Sequence, residues 1–328
     1  MSASHGIPRS RGAIVVAAAV LGAMAATPAL AQQALYSNSG GAVTNPGLAT
    51  GMNTASGLAA PPGAMWSELQ TDATGATNAA AGFSGHETGV AGAYRFADDF
   101  VVAGDSWTLT NVSVYAYQTG VQQPSITSAN VRIWSGRPGD AGSTVVWGDA
   151  ATDRLLAATS TNIYRVFNSV AAPVPPAPDT GRVIWNVNLS LAGAVLQPGT
   201  YWLDWQIKTS PAGIEVFSPA VTVAGLRAKA GSNAVQLKPG GPWTGLVDAG
   251  KPLSAADVAQ DLPFIISGYS GNPPCPSDVN ADGFVNGVDF DQFTAAFDIG
   301  DLFADFDHNG FVNGVDFDAF VSAFEAGC

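Results

Sequence analysis

Charge, cysteine and histidine are all scarce in this chain. Only 12% of its 328 residues are charged, and it has two cysteines and three histidines. Two cysteines exclude a disulfide-dense scaffold and any cysteine-rich zinc module. Of the histidines, His5 lies in the leading segment and His308 inside an Asp/Asn-rich repeat, which leaves His86 beside Glu87 in "SGHETG". That excludes a histidine cluster for a transition metal, and the pair itself reads as a solvated turn. No G-x-S-x-G elbow and no phosphate-cradling glycine loop occurs. Lysine and arginine total 13 against 26 acids, with no basic stripe, so no nucleic-acid partner is expected. Nor is a membrane span expected, because no strongly apolar stretch reaches about 20 residues.

What is abundant is glycine, with 38 positions, and proline, with 21. Frequent turns favour short strands over long helices, whose exposed faces would need charge. The first 31 residues read as a signal peptide: Arg9 and Arg11, an Ala/Val-rich run from Gly12 to Met24, Pro28, then Ala29-Leu30-Ala31. Cleavage is expected after Ala31, and the protein is expected to be secreted or associated with the cell surface. Residues 32–92 show little periodicity and read as an irregular part of the body, with one short strand near Ala34–Tyr36. Residues 93–270 alternate: Val112, Val114 and Ala116 share a face, as do Val183, Trp185, Val187 and Leu189, and Tyr201, Leu203, Trp205 and Ile207. Segments such as "SGRPGDAGS" and "PVPPAPDTG" punctuate the strands. The fold class that follows is mainly β, an antiparallel β-sandwich with jelly-roll-like character. A linker, 271–274, then leads to a small domain over 275–328.

That last domain holds eleven acids and neither lysine nor arginine. Within it "DVNADGFVNGVDF" from Asp278 returns as "DFDHNGFVNGVDF" from Asp305. Numbered from the first Asp, oxygen-bearing side chains occupy positions 1, 3, 5, 9 and 12. They are Asp278, Asn280, Asp282, Asn286 and Asp289 in one copy, and Asp305, Asp307, Asn309, Asn313 and Asp316 in the other. Gly283 and Gly310 stand at position 6, where a sharp turn is needed, and Phe284 and Phe311 at position 7 would offer backbone carbonyls. This is the spacing of a calcium loop: a hard cation takes six to eight oxygens, and alternate residues of a tight loop supply them. Magnesium is disfavoured, since it keeps its waters and demands stricter geometry. Two calcium ions are therefore expected. After each loop the apolar period turns helical, with Phe290, Phe293 and Phe297, then Phe317, Phe320, Val321 and Phe324, expected to form a small core between two helices. Pro273, Pro274 and Pro276 exclude a helix entering the first loop. Cys275 and Cys328 bracket the segment; in an exported protein they read as a disulfide, the alternative being two unpaired thiols.

Paired loop-helix halves bracketed by Cys and ending in "GC" resemble type I and GC-type dockerin modules, over Cys275 to Cys328. The resemblance implies an α-helical, EF-hand-like calcium-binding domain that docks its carrier to a cohesin-like module on a scaffold or cell surface. It places partner contacts at positions 10 and 11, here Gly287, Val288, Gly314 and Val315. Cellulosomal members tend to be polar there and basic further down the helix, whereas these helices carry no base. The body is loosely similar to exported bacterial β-proteins of no assigned activity.

Catalysis in the body would rest on carboxylates, since a glycosidase needs only two. Asp98, Asp99, Asp204 and Glu215 are the candidates, and structural hydrogen bonds or ion pairs are expected of them instead. Trp134, Trp202, Tyr115 and Tyr117 lie opposite the core-facing residues of their strands, where aromatic rings would stack on a polysaccharide. The preferred reading is that both faces of these strands are covered. The resulting expectation is a non-catalytic β-sandwich, with carbohydrate as its candidate ligand, anchored through a calcium-dependent tail. The alternative is a dockerin-bearing polysaccharide-degrading glycoside hydrolase.

Overall fold

The computed structural model of the chain describes Met1 and residues 32–70, 82–85, 94–170, 177–210, 215–249, 256–271, 275–280, 282, 284–307 and 310–327. The remainder of the expected signal peptide, His86, Glu87, Gly283, Asn309 and Cys328 lie outside them. The chain divides into two compact units, Leu30–Pro274 and one that holds Cys275–Cys328.

Two sheets make the first unit. The larger is ordered β1 (Gln33–Ser37), β16 (Phe264–Ser270), β5 (Trp107–Tyr117), β9 (Val183–Leu196), β8 (Leu155–Val166) and β2 (Met65–Glu68). Two short strands, β3 (Phe83–Ser84) and β11 (Phe217–Ser218), attach to it beside β5. The smaller sheet runs β13 (Trp243–Gly245), β12 (Val235–Leu237), β4 (Arg95–Val102), β10 (Gly199–Thr209), β6 (Ile126–Ser135) and β7 (Thr144–Gly148). A separate pair joins β14 (Val247–Asp248) to β15 (Val258–Ala259). Pairing is antiparallel except between β2 and β8.

Alternation fixes which side chains enter the shared core. From β5, β9 and β16 come Val112, Val114, Val187, Leu189 and Phe264; from β4, β6 and β10 come Phe100, Val131, Ile133, Leu203 and Trp205. All of these are at most 1% exposed. One apolar layer between two sheets is a β-sandwich, as the alternation predicts. The strand expected near Ala34–Tyr36 is β1; β2 and β3 were not anticipated, because four and two residues are too short for a period to register. In β16 the register shifts at Gly268, where an added Cβ would stand 2.2 Å from the Thr108 carbonyl oxygen. Only glycine fits that bulge.

The outer faces are covered too, as expected. Tyr115 and Tyr117 are buried with Leu48, Ile163 and Ile184, and Tyr117 stacks on Phe217 at 5.5 Å. Part of that cover is Leu48, from the segment the sequence leaves without periodicity. Trp202 is buried among Ala97, Val235, Trp134 and Trp243, and the Arg137 guanidinium lies over its ring. These aromatics hold the sheet's outer face together and form no bare platform.

Two wholly buried carboxylates tie strands to one another. Asp204 accepts from Arg95 Nε at 2.7 Å on one oxygen, and from Arg132 Nε at 2.7 Å and Trp134 Nε1 at 2.9 Å on the other. The register sets Asp204 opposite Arg132 on β6 and Ala97 on β4, so one side chain bridges three strands. Asp98 accepts from Asn38 Nδ2 at 2.5 Å, Leu262 N at 2.8 Å and Asp99 N at 3.0 Å. Nearby, Lys229 Nζ lies 2.6 Å from Asp261 and donates to Asn38 Oδ1 at 2.9 Å.

Burial, followed by the charge of Asp261, pushes the Asp98 carboxyl well above the usual carboxylate range, against the pull of its backbone donors. A carboxyl whose folded pKa exceeds its unfolded value stabilises the fold fully below the unfolded pKa, and that contribution is lost as pH rises through the folded pKa. Urea midpoints should therefore decline as pH climbs above the ordinary carboxylate range, and Asp98→Asn should flatten that decline. An unaltered pH slope in the variant would refute the assignment.

Candidate metal centre in the repeated loops

The second unit is two loop-helix halves joined by a short 3-10 turn, Leu302–Ala304. Helix α1 spans Gly287–Asp298 and α2 spans Gly314–Ala326. Each starts with the same capping box. The Asn286 side chain accepts from Val288 N at 2.9 Å while Asp289 accepts from Asn286 N at 3.0 Å; Asn313, Val315 and Asp316 repeat this at 2.9 and 2.8 Å. An Asn cap with a carboxylate three residues on satisfies the orphan donors of the first turn and complements the helix dipole. Position 9 of each loop is thus the helix cap, a role that calcium spacing alone does not announce.

The position-12 carboxylates also reach back into their loops. Asp289 Oδ1 accepts from Asn280 N at 3.2 Å, and Asp316 Oδ1 from Asp307 N at 3.1 Å. Both residues are fully buried. The Asn313 N–H first, with Asp307 and others behind it, holds the Asp316 carboxyl below the usual carboxylate range, hence ionised. At position 1, Asp278 accepts from Asp282 N at 3.1 Å and Asp305 from Gly310 N at 2.8 Å. Gly310 has φ +87°, the left-handed turn expected of position 6.

In the second loop these constraints bring the side-chain oxygens of Asp305, Asp307 and Asp316 within 4.8 Å of one another. Three carboxylates so close repel strongly unless a cation lies between them. The donors are all oxygen, and no lysine or arginine occurs from Cys275 onward to neutralise them. The residues present therefore fit a hard divalent ion. Among the described residues, the first loop gathers no such trio. Its third carboxylate is at position 5, and Asp282 Oδ1 instead accepts from Phe284 N at 2.9 Å. Of the other expected ligands, Asn309 lies outside the described residues. The Phe284 and Phe311 carbonyls accept from Asn286 Nδ2 and Asn313 Nδ2, both at 3.3 Å.

The helices pack through the phenylalanines that the period singled out. Phe293 and Phe320, equivalent residues of the two copies, stack at 3.8 Å with 6° between their planes, and both are fully buried. Phe290, Phe297, Phe317, Val321 and Phe324 pack around them. Sequence reasoning missed Val279, Phe306 and Val312, which also join this core. They sit at even loop positions, pointing away from the ligand side, and that alternation was the available signal.

The four residues assigned to partner contact, Gly287, Val288, Gly314 and Val315, are all exposed, the two valines at 59%. The structure adds Phe284 and Phe311, 72% and 73% exposed. Sequence reasoning gave these rings no role, although an identical large apolar residue at a solvent-facing loop position in both copies was a visible clue.

The candidate catalytic carboxylates lie in the first unit. Asp204 has both oxygens engaged, Asp98 is buried in hydrogen bonds, Asp99 is half-buried and Glu215 is exposed. Comparison of the chain with protein-family models and with curated proteins finds no match.

Because Phe293 and Phe320 stack on each other, Phe293→Ala and Phe320→Ala should each destabilise this unit by about 3–5 kcal/mol. Hydrogen exchange over 287–326 is expected to accelerate alike in both variants. Acceleration confined to the mutated helix would show that the stack is not a common anchor.

Proposed function

We propose that the chain is an exported, non-catalytic β-sandwich protein that holds a carbohydrate and is anchored to a cohesin-like module through a calcium-dependent, dockerin-like tail. The observation that carries the reading is the duplicated loop, with Asp305, Asp307 and Asp316 gathered within 4.8 Å in a segment devoid of lysine and arginine. Asp278, Asn280, Asp282 and Asp289 would hold one ion. Asp305, Asp307, Asn309 and Asp316 would hold the other, with the Phe284 and Phe311 carbonyls at position 7 and Asn286 and Asn313 at position 9. Bound calcium would neutralise the loop carboxylates. The chain's own part is to pre-arrange them: Asp289 and Asp316 lock each loop to the first turn of its helix. A disulfide between Cys275 and Cys328 would join the ends of this unit.

Docking falls to the exposed apolar residues that each copy repeats, Val288 and Phe284, Val315 and Phe311. Identical residues in two related halves would let the tail present either half to one partner. The body's carboxylates favour the non-catalytic reading over the hydrolase, since Asp204 and Asp98 are committed to holding strands together.

Calorimetric titration of the full chain should show about two calcium ions bound, in line with two loops. Asp305→Ala with Asp316→Ala should remove one of them. A chain that binds no calcium would end the reading. Val288→Asp or Val315→Asp alone should weaken capture by a cohesin module only slightly, and the two together should abolish it with calcium binding intact. Complete loss from one substitution would mean that a single half docks.

A further inference from the structure

The geometry points to a binding site for a neutral sugar at one edge of the sandwich, where β8, β9 and the connection from β5 to β6 meet. A cleft of about 340 Å³ lies there, and its lining includes Gln122, Gln123, Thr159, Ser160, Tyr164 and Trp185. This rests on the carbohydrate-binding reading of the body and names its site; it does not depend on the tail.

The lining contains no charged side chain, so the ligand is neutral. It combines two aromatic rings with amides and hydroxyls. That is the complement of a sugar, whose C–H face stacks on a ring while its hydroxyls bond in plane. The volume lies near the lower end of small-molecule sites, roughly 300–1,000 Å³, which suits one or two sugar rings and not a long chain segment.

One group in the cleft has unmet chemistry. Trp185 is 3% exposed, and its indole N–H is buried without an acceptor. Buried indole donors are nearly always paired, so this N–H lacks an acceptor in a residue that lines the cleft, and a small side-chain shift would offer it to a sugar hydroxyl. Trp205, in the same core cluster, has a similarly orphaned N–H but does not line the cleft.

The rim is built to hold its shape. Opposite β9, the register of β8 runs from Ser160↔Trp185 directly to Tyr164↔Val183, so extra residues form a bulge between them. Asn162 sits in this bulge at φ +57°, the one non-glycine with positive φ among the described residues. Such strained bulges gather beside binding sites, where they re-aim side chains. The bulge is secured by Thr161 Oγ1 donating to Ile184 O at 2.8 Å and Asn162 N donating to Ser160 Oγ at 3.1 Å. Across the cleft, buried Gln118 clasps the loop bearing Gln122 and Gln123. Its Nε2 donates to Ser125 Oγ at 2.7 Å, and its Oε1 accepts from Ser125 N at 3.1 Å. Trp66 packs edge-on against Tyr164 from outside the lining.

The test is titration of the full chain with cellobiose, xylobiose, mannobiose and lactose at millimolar concentration, read by calorimetry and saturation-transfer NMR. At least one should bind, and glucuronic acid should bind no better than glucose. Trp185→Phe keeps a ring but removes the donor, and should weaken binding about tenfold. Gln122→Ala combined with Gln123→Ala, on the exposed rim, should weaken it with no change in thermal midpoint, and decides the matter if the tryptophan variant misfolds. Chelating calcium should leave sugar binding unchanged. If sugar binds but neither variant alters it, the site is wrong while the carbohydrate reading stands. If no sugar binds, or only a heteroaromatic probe such as adenosine does, both are overturned.

Discussion

The buried carboxylate is the interaction on which both units depend. Asp98, Asp204, Asp289 and Asp316 all have zero exposure in a chain with few charges to spare. Each is held by several donors and adds side-chain ties to those of the backbone ladder or the helix. Asp204 draws Arg95 and Arg132 onto neighbouring strands, Asp98 fastens β4 to Leu262 and Asn38, and the two helix-start aspartates fasten loop to helix. An ionised or polar group taken out of water is tolerable only with such partners, and removing one leaves an uncompensated group behind. The solutions differ between the units. In the sandwich the partners are mostly side chains, arginine included; in the tail they are backbone N–H groups, in a segment with no lysine or arginine.

That difference decided what was legible in the sequence. The sandwich was readable from Val112/Val114, Val183/Trp185/Val187 and Leu203/Trp205, because period-two alternation reports burial directly. The tail was readable because its spacing occurs twice. What stayed hidden was cover and contact. Leu48 packs against Tyr115 and Tyr117 from a stretch with no periodicity at all, and nothing local signals that tertiary role. The cleft beside Trp185 is likewise assembled from three separate chain segments. In the alternation pattern Trp185 is simply another core residue, and its unpaired N–H exists only in three dimensions.

The two loops, though near copies, are not equivalent. Carboxylates fall at positions 1, 5 and 12 in the first and at 1, 3 and 12 in the second. Exchanging Asn for Asp between positions 3 and 5 changes which oxygens converge. Asp307 joins the cluster with Asp305 and Asp316, while Asp282 turns to its own loop backbone at Phe284. Equal formal charge thus yields unequal local fields, and the second loop concentrates its charge more tightly.

The parallel stack of Phe293 on Phe320 makes the tail indivisible. Each helix finds the centre of its hydrophobic core on the other repeat, so a single repeat has nothing to fold around. A protease cut in the connection near Gly300 would leave two halves that each still need the other, and would not release two smaller modules. For the same reason a gene encoding only one repeat would have specified no fold until a second copy supplied the facing ring. Duplication here is the condition for the unit to exist, with any gain in binding capacity following from it.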